Sequence, residues 1–293
     1  MRLPFSILRS PGSKAWFLRD AERFVRDLRP AIIVEAFAGS AIVGLTLLNR
    51  GYAGRLVLAE KDPDLRYFWQ VALSDADFTH RATEWTRRLL RMPPDERRGF
   101  ALRSAKRMQK TDPAFSTLLR SRLGFNGILH NESAPSSREA TDRWWPLTIG
   151  ASLGFLYAAR TKIQVLSDAF EALRLTDVPE SYAFVDPPYT FGQSAPGHKL
   201  YRYGLNDKDY EELVRLLAVW KGSWQLTSEF CPEMIRSLEE TRFDPPVQQR
   251  MVPMRTVNNR LKMELVVSRR SVVLAESGLH LSSGAGNISN AQR

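Results

Sequence analysis

The chain has 293 residues, 43% of them hydrophobic, with four histidines, one cysteine and a formal net charge of +10. That length supports one large domain with an inserted lobe, or two domains. The lone Cys231 excludes an internal disulfide and any zinc site built on several thiolates, and His80, His130, His198 and His280 show no metal-ligand spacing. No apolar run reaches the roughly 18 residues of a membrane span, and Met1-Arg2-Leu3-Pro4-Phe5 lacks the apolar core of a signal peptide. The positive charge suits a polyanionic partner.

In chain order, the apolar run Ala31–Val34, the small-residue turn around Gly39 and the pattern Ile42, Val43, Leu45, Leu47, Leu48 predict a strand, a loop and a helix. Gly39 lets the backbone approach a ligand closely, and Ser40 is the expected helix N-cap. This is no dinucleotide fingerprint, because Ala41 and Val43 stand where further glycines belong, and no Gly-Lys-Ser/Thr follows to make a phosphate loop. A second strand, Arg55–Ala59, ends at Glu60. An acid about 20 residues past a glycine turn has the spacing that grips ribose hydroxyls.

The strand–helix alternation then breaks. Residues 81–143 carry 14 Lys/Arg against 7 Asp/Glu. Helical patterns run over 78–92, 95–109 and 113–121, followed by a loop rich in Asn, Ser and Pro over 124–141. Arg87, Arg88, Arg91, Arg97, Arg98, Arg103, Lys106, Arg107 and Lys110 can line a nucleic-acid backbone, the alternative being a solvated helix surface. Reading bases requires donors and acceptors in the grooves. Arg120, Arg122, Asn126, Asn131 and Arg138 are the best placed. Arg122 can read a guanine edge; Asn126 pairs with adenine or pins the loop; Phe125 wedges into a duplex or anchors the loop.

Ser181–Val185, aromatic and β-branched, reads as a buried strand that ends in Asp186-Pro187-Pro188-Tyr189. An acceptor carboxylate, two stiffening prolines and an aromatic face are the parts needed to hold a nucleobase amino group. Asn206-Asp207 opens a helix carrying Tyr210, Leu213, Leu216 and Leu217. Gly222–Ser228 is a strand, Ile235 and Leu238 mark a helix, and Met263–Val267 is the last strand. Residues 242–270 carry 7 Lys/Arg against 2 Asp/Glu, with Asn258-Asn259-Arg260 between two strand-like segments, so a hairpin there either contacts DNA or is ordinary edge structure. Alternating strands and helices argue for an α/β fold with a mostly parallel sheet.

From Pro11 to about Val267 these elements resemble, in order, the Dam-like, alpha-group adenine-specific DNA methyltransferases. Pro11-Gly12-Ser13-Lys14 is similar to that family's opening motif, and Glu35-Ala36-Phe37-Ala38-Gly39-Ser40 to its S-adenosylmethionine loop, with Glu60 at the ribose position. Phe125-Asn126-Gly127 and Asn131 resemble the recognition loop. Val165 to Phe170 resembles the strand end that binds the cofactor adenine through Asp168 and Phe170. Asp186 to Tyr189 resembles the catalytic motif, and Leu226-Thr227-Ser228 the late strand. Two departures stand out: Ala41 replaces a frequent glycine, and His130-Asn131-Glu132-Ser133 replaces the usual Asn-hydrophobe-Pro.

The resemblance implies a Rossmann-like S-adenosylmethionine-dependent methyltransferase sheet with an inserted helical target-recognition lobe. The catalytic domain is expected over 1–74 and 160–275, the inserted domain over 75–159 and a flexible tail over 276–293. The implied activity is site-specific transfer of a methyl group from S-adenosyl-L-methionine to the 6-amino group of adenine in double-stranded DNA, by base flipping and without a metal. An RNA base methyltransferase or an inactive DNA-binding relative are the alternatives. Asp186, Pro187, Pro188, Tyr189 and Lys14 are the implied catalytic set. Lys14, Phe37, Ala38, Gly39, Ser40, Glu60, Asp168, Phe170 and Asp186 are the implied cofactor contacts. DNA would meet Arg103, Arg107, Arg120, Arg122, Phe125, Asn126, Asn131, Arg138, Tyr203 and Arg260, with Tyr201 a second aromatic for the flipped base. A monomer is expected, in the cytoplasm of a bacterial or phage-infected cell, associated with the nucleoid through DNA. A cognate restriction enzyme is the further partner the resemblance allows.

Overall fold

The computed structural model describes residues 6–9, 13–123, 148–188, 202–229, 232–255 and 261–271. A 3-10 turn over Lys14–Phe17 leads into helix α1 (Leu18–Arg26), then β1 (Ile32–Glu35), α2 (Ile42–Asn49), β2 (Arg55–Ala59) and α3 (Pro63–Ser74). Helices α4 (Ala76–Leu90), α5 (Pro94–Met108), α6 (Pro113–Leu123) and α7 (Ile149–Ala158) intervene before β3 (Ile163–Leu166). Then come α8 (Ala169–Leu175), β4 (Ser181–Val185), α9 (Asp207–Val219), β5 (Ser223–Glu229), α10 (Pro232–Glu240), β6 (Gln248–Arg255) and β7 (Leu261–Arg269).

One seven-stranded sheet, ordered β3-β2-β1-β4-β5-β7-β6, holds these together. Strands β1 to β5 run parallel, whereas β7 is antiparallel to both β5 and β6. The chain is therefore the expected α/β protein with a mostly parallel sheet, and the helical insertion falls between the second and third strands as expected. Side chains alternate across the strands. Ile33, Leu56, Leu58, Tyr182 and Phe184 face α1–α3 and the outer helices, while Val34, Val57, Ala59, Ala183, Val185 and Leu226 face α8–α10. Among the described residues the outer helices α4–α7 share one core with the sheet. Phe78, Ala82, Ala105, Phe115 and Leu119 join Phe68 and Trp69 of α3 in the same apolar cluster as the sheet residues.

Strand register fixes where the loops meet. Glu35 lies opposite Leu58 and Phe184, Ala59 opposite Leu166, and Val185 opposite Leu226. The carboxyl ends of the parallel strands thus form one edge, and strand order reverses between β1 and β4, the switch point where open α/β sheets bind ligands. The outer helices return to that edge. Gly150 packs on Thr83 and Gly154 on Thr79, so α4 runs antiparallel to α7, which descends into β3. Arg120 of α6 reaches Asp64 in the first turn of α3 at 3.1 Å. Leu123 and Thr148, which flank residues 124–147, therefore stand at the carboxyl edge.

Candidate active site

The loop after β1 is shaped by backbone conformation. Gly39 and Ala41 both take left-handed φ values, 49° and 50°. Glycine adopts this conformation freely, but a residue with a Cβ does so at a cost of about 1 kcal/mol. Ala41, which stands where the resembling family often has glycine, is thus the strained position of the loop. It also corrects an expectation: Ser40 is buried and does not cap α2. The residue preceding the helix is Ala41, which makes no side-chain cap.

Three contacts hold Gly39. Its N–H donates to Glu60 Oε2 at 2.8 Å, its carbonyl accepts from Trp69 Nε1 at 3.3 Å, and neighbouring Ala38 N–H bonds Ala59 O at 2.9 Å. Glu60 also accepts from Asp62 N–H through Oε1 at 2.8 Å. Burial raises the Glu60 pKa to about 7 despite those two N–H donors. Glu60 is therefore poised between its protonated and ionised forms at neutral pH, at the end of β2 and beside the glycine turn. Asp168 ends β3 and caps α8 by accepting from Glu171 N–H at 2.8 Å. Phe37 and Phe170 pack, partly exposed, on the α8–α10 side of the sheet. Ala38, Gly39, Glu60 and Asp168 thus come from three neighbouring strand ends to one place.

Asp186 ends β4, between β1 and β5. Its Oδ1 is fixed twice, by Lys14 Nζ at 2.8 Å and by Thr227 Oγ1 at 2.8 Å. The 3-10 turn carrying Lys14 is anchored where Phe17 stacks on Phe184, ring centroids 5.3 Å apart. Tyr210 Oη donates to the Pro188 carbonyl at 2.6 Å, so α9 clamps the second proline. Pro187 is buried and Pro188 half-buried.

Beside Asp186 lies a polar floor of which sequence reading touched only Glu35, as the start of the cofactor loop. Glu264 of β7 approaches Lys14 Nζ at 3.9 Å, and Tyr182 donates to Gln225 at 3.0 Å. Glu35 accepts from Gly44 N–H at 2.6 Å, and a Cβ on Gly44 would sit 2.7 Å from the same carboxylate oxygen. Only glycine lets α2 approach so closely. Burial, opposed by the Gly44 and Val43 N–H groups and reinforced by the charge of Asp186, raises the Glu35 pKa to about 8. Burial, with Glu35 adding to it, likewise holds the Tyr182 hydroxyl well above its ordinary value. Period-two alternation places Tyr182, Phe184 and Asp186 on one face, a signal available in the sequence. That Glu264 returns on an antiparallel strand to the same spot was not.

The residues expected to meet DNA divide. Arg103 and Arg107 are exposed on α5. Arg120 is half-buried and paired with Asp64. Arg122 contradicts its expected role as a base reader. It is 4% exposed, donates from Nη1 to Ser6 O at 2.9 Å, and has its pKa pulled down by burial and by Arg9. It pins the N-terminal segment to α6, beside Ser121 Oγ, which accepts from Arg9 N–H and donates to Arg9 O. Tyr203 is partly exposed near the guanidinium of Arg202, which pairs with Asp62 and Asp64 at 3.8 and 3.4 Å. Pro11, Gly12, Phe125, Asn126, Asn131, Arg138, Tyr189, Tyr201 and Arg260 lie outside the described residues. Among the described residues no group of three His, Cys, Asp or Glu side chains could hold a metal, and no helix is long and apolar enough to cross a membrane.

No family model and no curated protein matches the chain. Among solved structures it is similar to yhhF of Escherichia coli, provisionally named a methyltransferase, at 15% identity and a TM-score of 0.36, covering 90% of this chain and 92% of that one. It is also similar to precorrin-6y C5,15-methyltransferase of Geobacter metallireducens GS-15, at 11% identity and a TM-score of 0.38, covering 92% and 97%. Likeness this loose assigns neither fold nor function. Those rest on the sheet and the site above.

Proposed function

We propose that the protein methylates the 6-amino group of adenine in double-stranded DNA, using S-adenosylmethionine as donor and flipping the target base out of the duplex. One observation carries the reading most. The Asp-Pro-Pro motif sits at the switch point of the sheet, its carboxylate immobilised by Lys14 and Thr227, one strand away from the Gly39 turn.

The residues at the neighbouring strand ends fit the donor. Gly39 brings bare backbone to the edge, Glu60 offers a carboxylate to ribose hydroxyls, and Asp168 adds an acceptor at the next strand. S-adenosylmethionine, when bound, supplies a methyl group already activated on sulfur, so the protein needs no covalent intermediate of its own.

What remains for the chain is alignment and charge. The adenine amino nitrogen is a poor nucleophile because its lone pair is delocalised into the ring. Asp186 accepts a hydrogen bond from the amine, with the Pro187 carbonyl as the second acceptor. Both contacts strengthen as positive charge grows on nitrogen, so they favour the transition state over the ground state. Lys14 and Thr227 fix the carboxylate beforehand, which removes the cost of orienting it during reaction. The extra proton then leaves the nitrogen for solvent. Exposed arginines on α5, with Arg87 and Arg88 at the end of α4, suit phosphates.

Nucleoside mass spectrometry after incubating purified protein and S-adenosylmethionine with mixed-sequence double-stranded DNA tests the proposal. Methylated adenine is expected with the wild type and not with Asp186→Ala. A product on RNA in place of DNA would overturn the substrate assignment and leave the chemistry standing. No product on either, with cofactor bound, would overturn both.

A further inference from the structure

We propose that Glu264 is a positioning residue of this site: it holds the Lys14 ammonium where Lys14 fixes Asp186. The inference rests on the methyl-transfer reading above.

Lys14 and Glu264 are 3% and 2% exposed, so the pair is sealed beneath the site and away from solvent. Taking charges out of water costs several kcal/mol for each ion, and well-packed apolar residues would often serve stability as well. A floor that keeps Lys14, Asp186 and Glu264 together is therefore poorly explained by stability alone. Geometry supplies the reason. Lys14 Nζ stands between two carboxylates, 2.8 Å from Asp186 and 3.9 Å from Glu264. Were Asp186 its one carboxylate, the ammonium would neutralise the group that must meet developing positive charge on the substrate. A second carboxylate shares the ammonium and leaves the site with more acid than base.

The fold also explains why this acid comes from β7. On that strand Val266 faces the α1 side of the sheet, and Glu264, two residues away, shares the face. Thr227 of the adjacent β5 donates to Asp186 and pairs in register with Val266. The antiparallel β5–β7 ladder thus delivers Glu264 and Thr227 to opposite partners of one ion pair. Glu264 reaches Lys14 and Thr227 reaches Asp186.

The test compares Glu264→Gln, which keeps shape and removes charge, with Glu264→Asp, which keeps charge and shortens the reach. Two readouts are taken. One is kcat for methyl transfer alongside the dissociation constant for S-adenosylmethionine. The other is the ¹⁵N ammonium signal of Lys14 in lysine-labelled protein, assigned by its disappearance in Lys14→Met. Glu264→Gln is expected to lower kcat on the order of 10–100-fold, through misplacement of Asp186, with cofactor affinity within about twofold of wild type. The Lys14 signal should shift or broaden, and Glu264→Asp should recover part of kcat. An unmoved Lys14 signal, or equal kcat in the Gln variant and the wild type, overturns the proposal. If the wild type transfers no methyl group, the reading of the site falls, while the Lys14 signal still decides whether Glu264 holds the ammonium.

Discussion

The floor under Asp186 and the outer helices α4–α6 handle charge in opposite ways. In the floor Lys14, Glu35 and Glu264 are all buried, with Lys14 between Asp186 and Glu264 and Glu35 held by the Gly44 N–H. On the helices the charges are numerous and exposed. Among the described residues Arg87 pairs with its helix neighbour Glu84, and Arg88 lies 4.5 Å from the Phe100 ring centroid and 5.7 Å from that of Trp85. A buried charge must be partnered, so it has one position, and removing it is felt at once. An exposed charge acts through its contribution to a sum.

The comparison breaks most easily at Asp186. Asp186→Ala should lower methyl transfer by on the order of 10³-fold or more, the scale seen when a preorganised electrostatic contact is lost. Labelled-methyl incorporation measures this, and calorimetry should find cofactor binding nearly intact. A loss confined to binding would move Asp186 out of the reacting pair.

Glu60 comes next. Glu60→Gln should weaken S-adenosylmethionine binding roughly tenfold, the worth of one good hydrogen-bonded contact to a charged group. Because its pKa is raised to about 7, the wild-type carboxylate gains charge between pH 6 and 8. An ionised carboxylate is the better acceptor for ribose hydroxyls, so cofactor affinity should rise across that window and stay flat in the variant. Titration calorimetry at both ends of the window decides.

Much of the fold was legible because its signals are local. Asn206 caps α9 with Asp209 in a reciprocal capping box, and β2 spans the predicted Arg55–Ala59. The three outer helices begin and end within a few residues of their predicted spans. Helix α7 was not anticipated. Its sequence, Ile-Gly-Ala-Ser-Leu-Gly-Phe-Leu-Tyr-Ala, has no polar stripe, because it is wedged against α3 and α4 and lacks the amphipathic period that betrays a surface helix. In the site, the strand-end residues were readable from their motifs. Thr227 was read only as part of the late strand, because its contact with Asp186 needs the β4–β5 pairing, and Glu264 was missed because its role depends on an antiparallel return that brings it to the same face. Arg122 misled for a related reason: a basic residue near a polar loop looks solvent-facing until the N-terminal segment is laid over it.

Glu35 sharpens the comparison through stability. Its folded pKa is about 8, above the ordinary value of 4.5, so the folded state holds its proton more tightly than the unfolded chain. That contribution is fully present below pH 4.5 and is lost as pH rises through 8. Glu35→Gln should therefore flatten the fall in Tm across this window, removing a pH-dependent contribution of several kcal/mol. Thermal unfolding at several pH values measures it. An unchanged pH slope would mean that Glu35 is ionised in the fold.

The smallest effects are expected on the outer helices, and there the contrast with the floor can be tested within one residue type. Arg103 and Arg107 are exposed, so Arg103→Gln or Arg107→Gln should leave Tm within about 1 °C of wild type. Each should weaken DNA binding only a few-fold, equally for all sequences, and reduce the slope of log affinity against log salt by about 1. Arg122 should behave in reverse. Its guanidinium is sealed against the Ser6 carbonyl, so Arg122→Gln removes a buried charge-assisted hydrogen bond and should cost on the order of 2 kcal/mol of stability, with the salt slope unchanged. Salt-dependent binding and thermal unfolding on the three variants separate the roles. If Arg122→Gln lowers the salt slope while Arg103→Gln does not, the phosphates lie against the N-terminal segment, and the DNA path crosses α6 instead of α5.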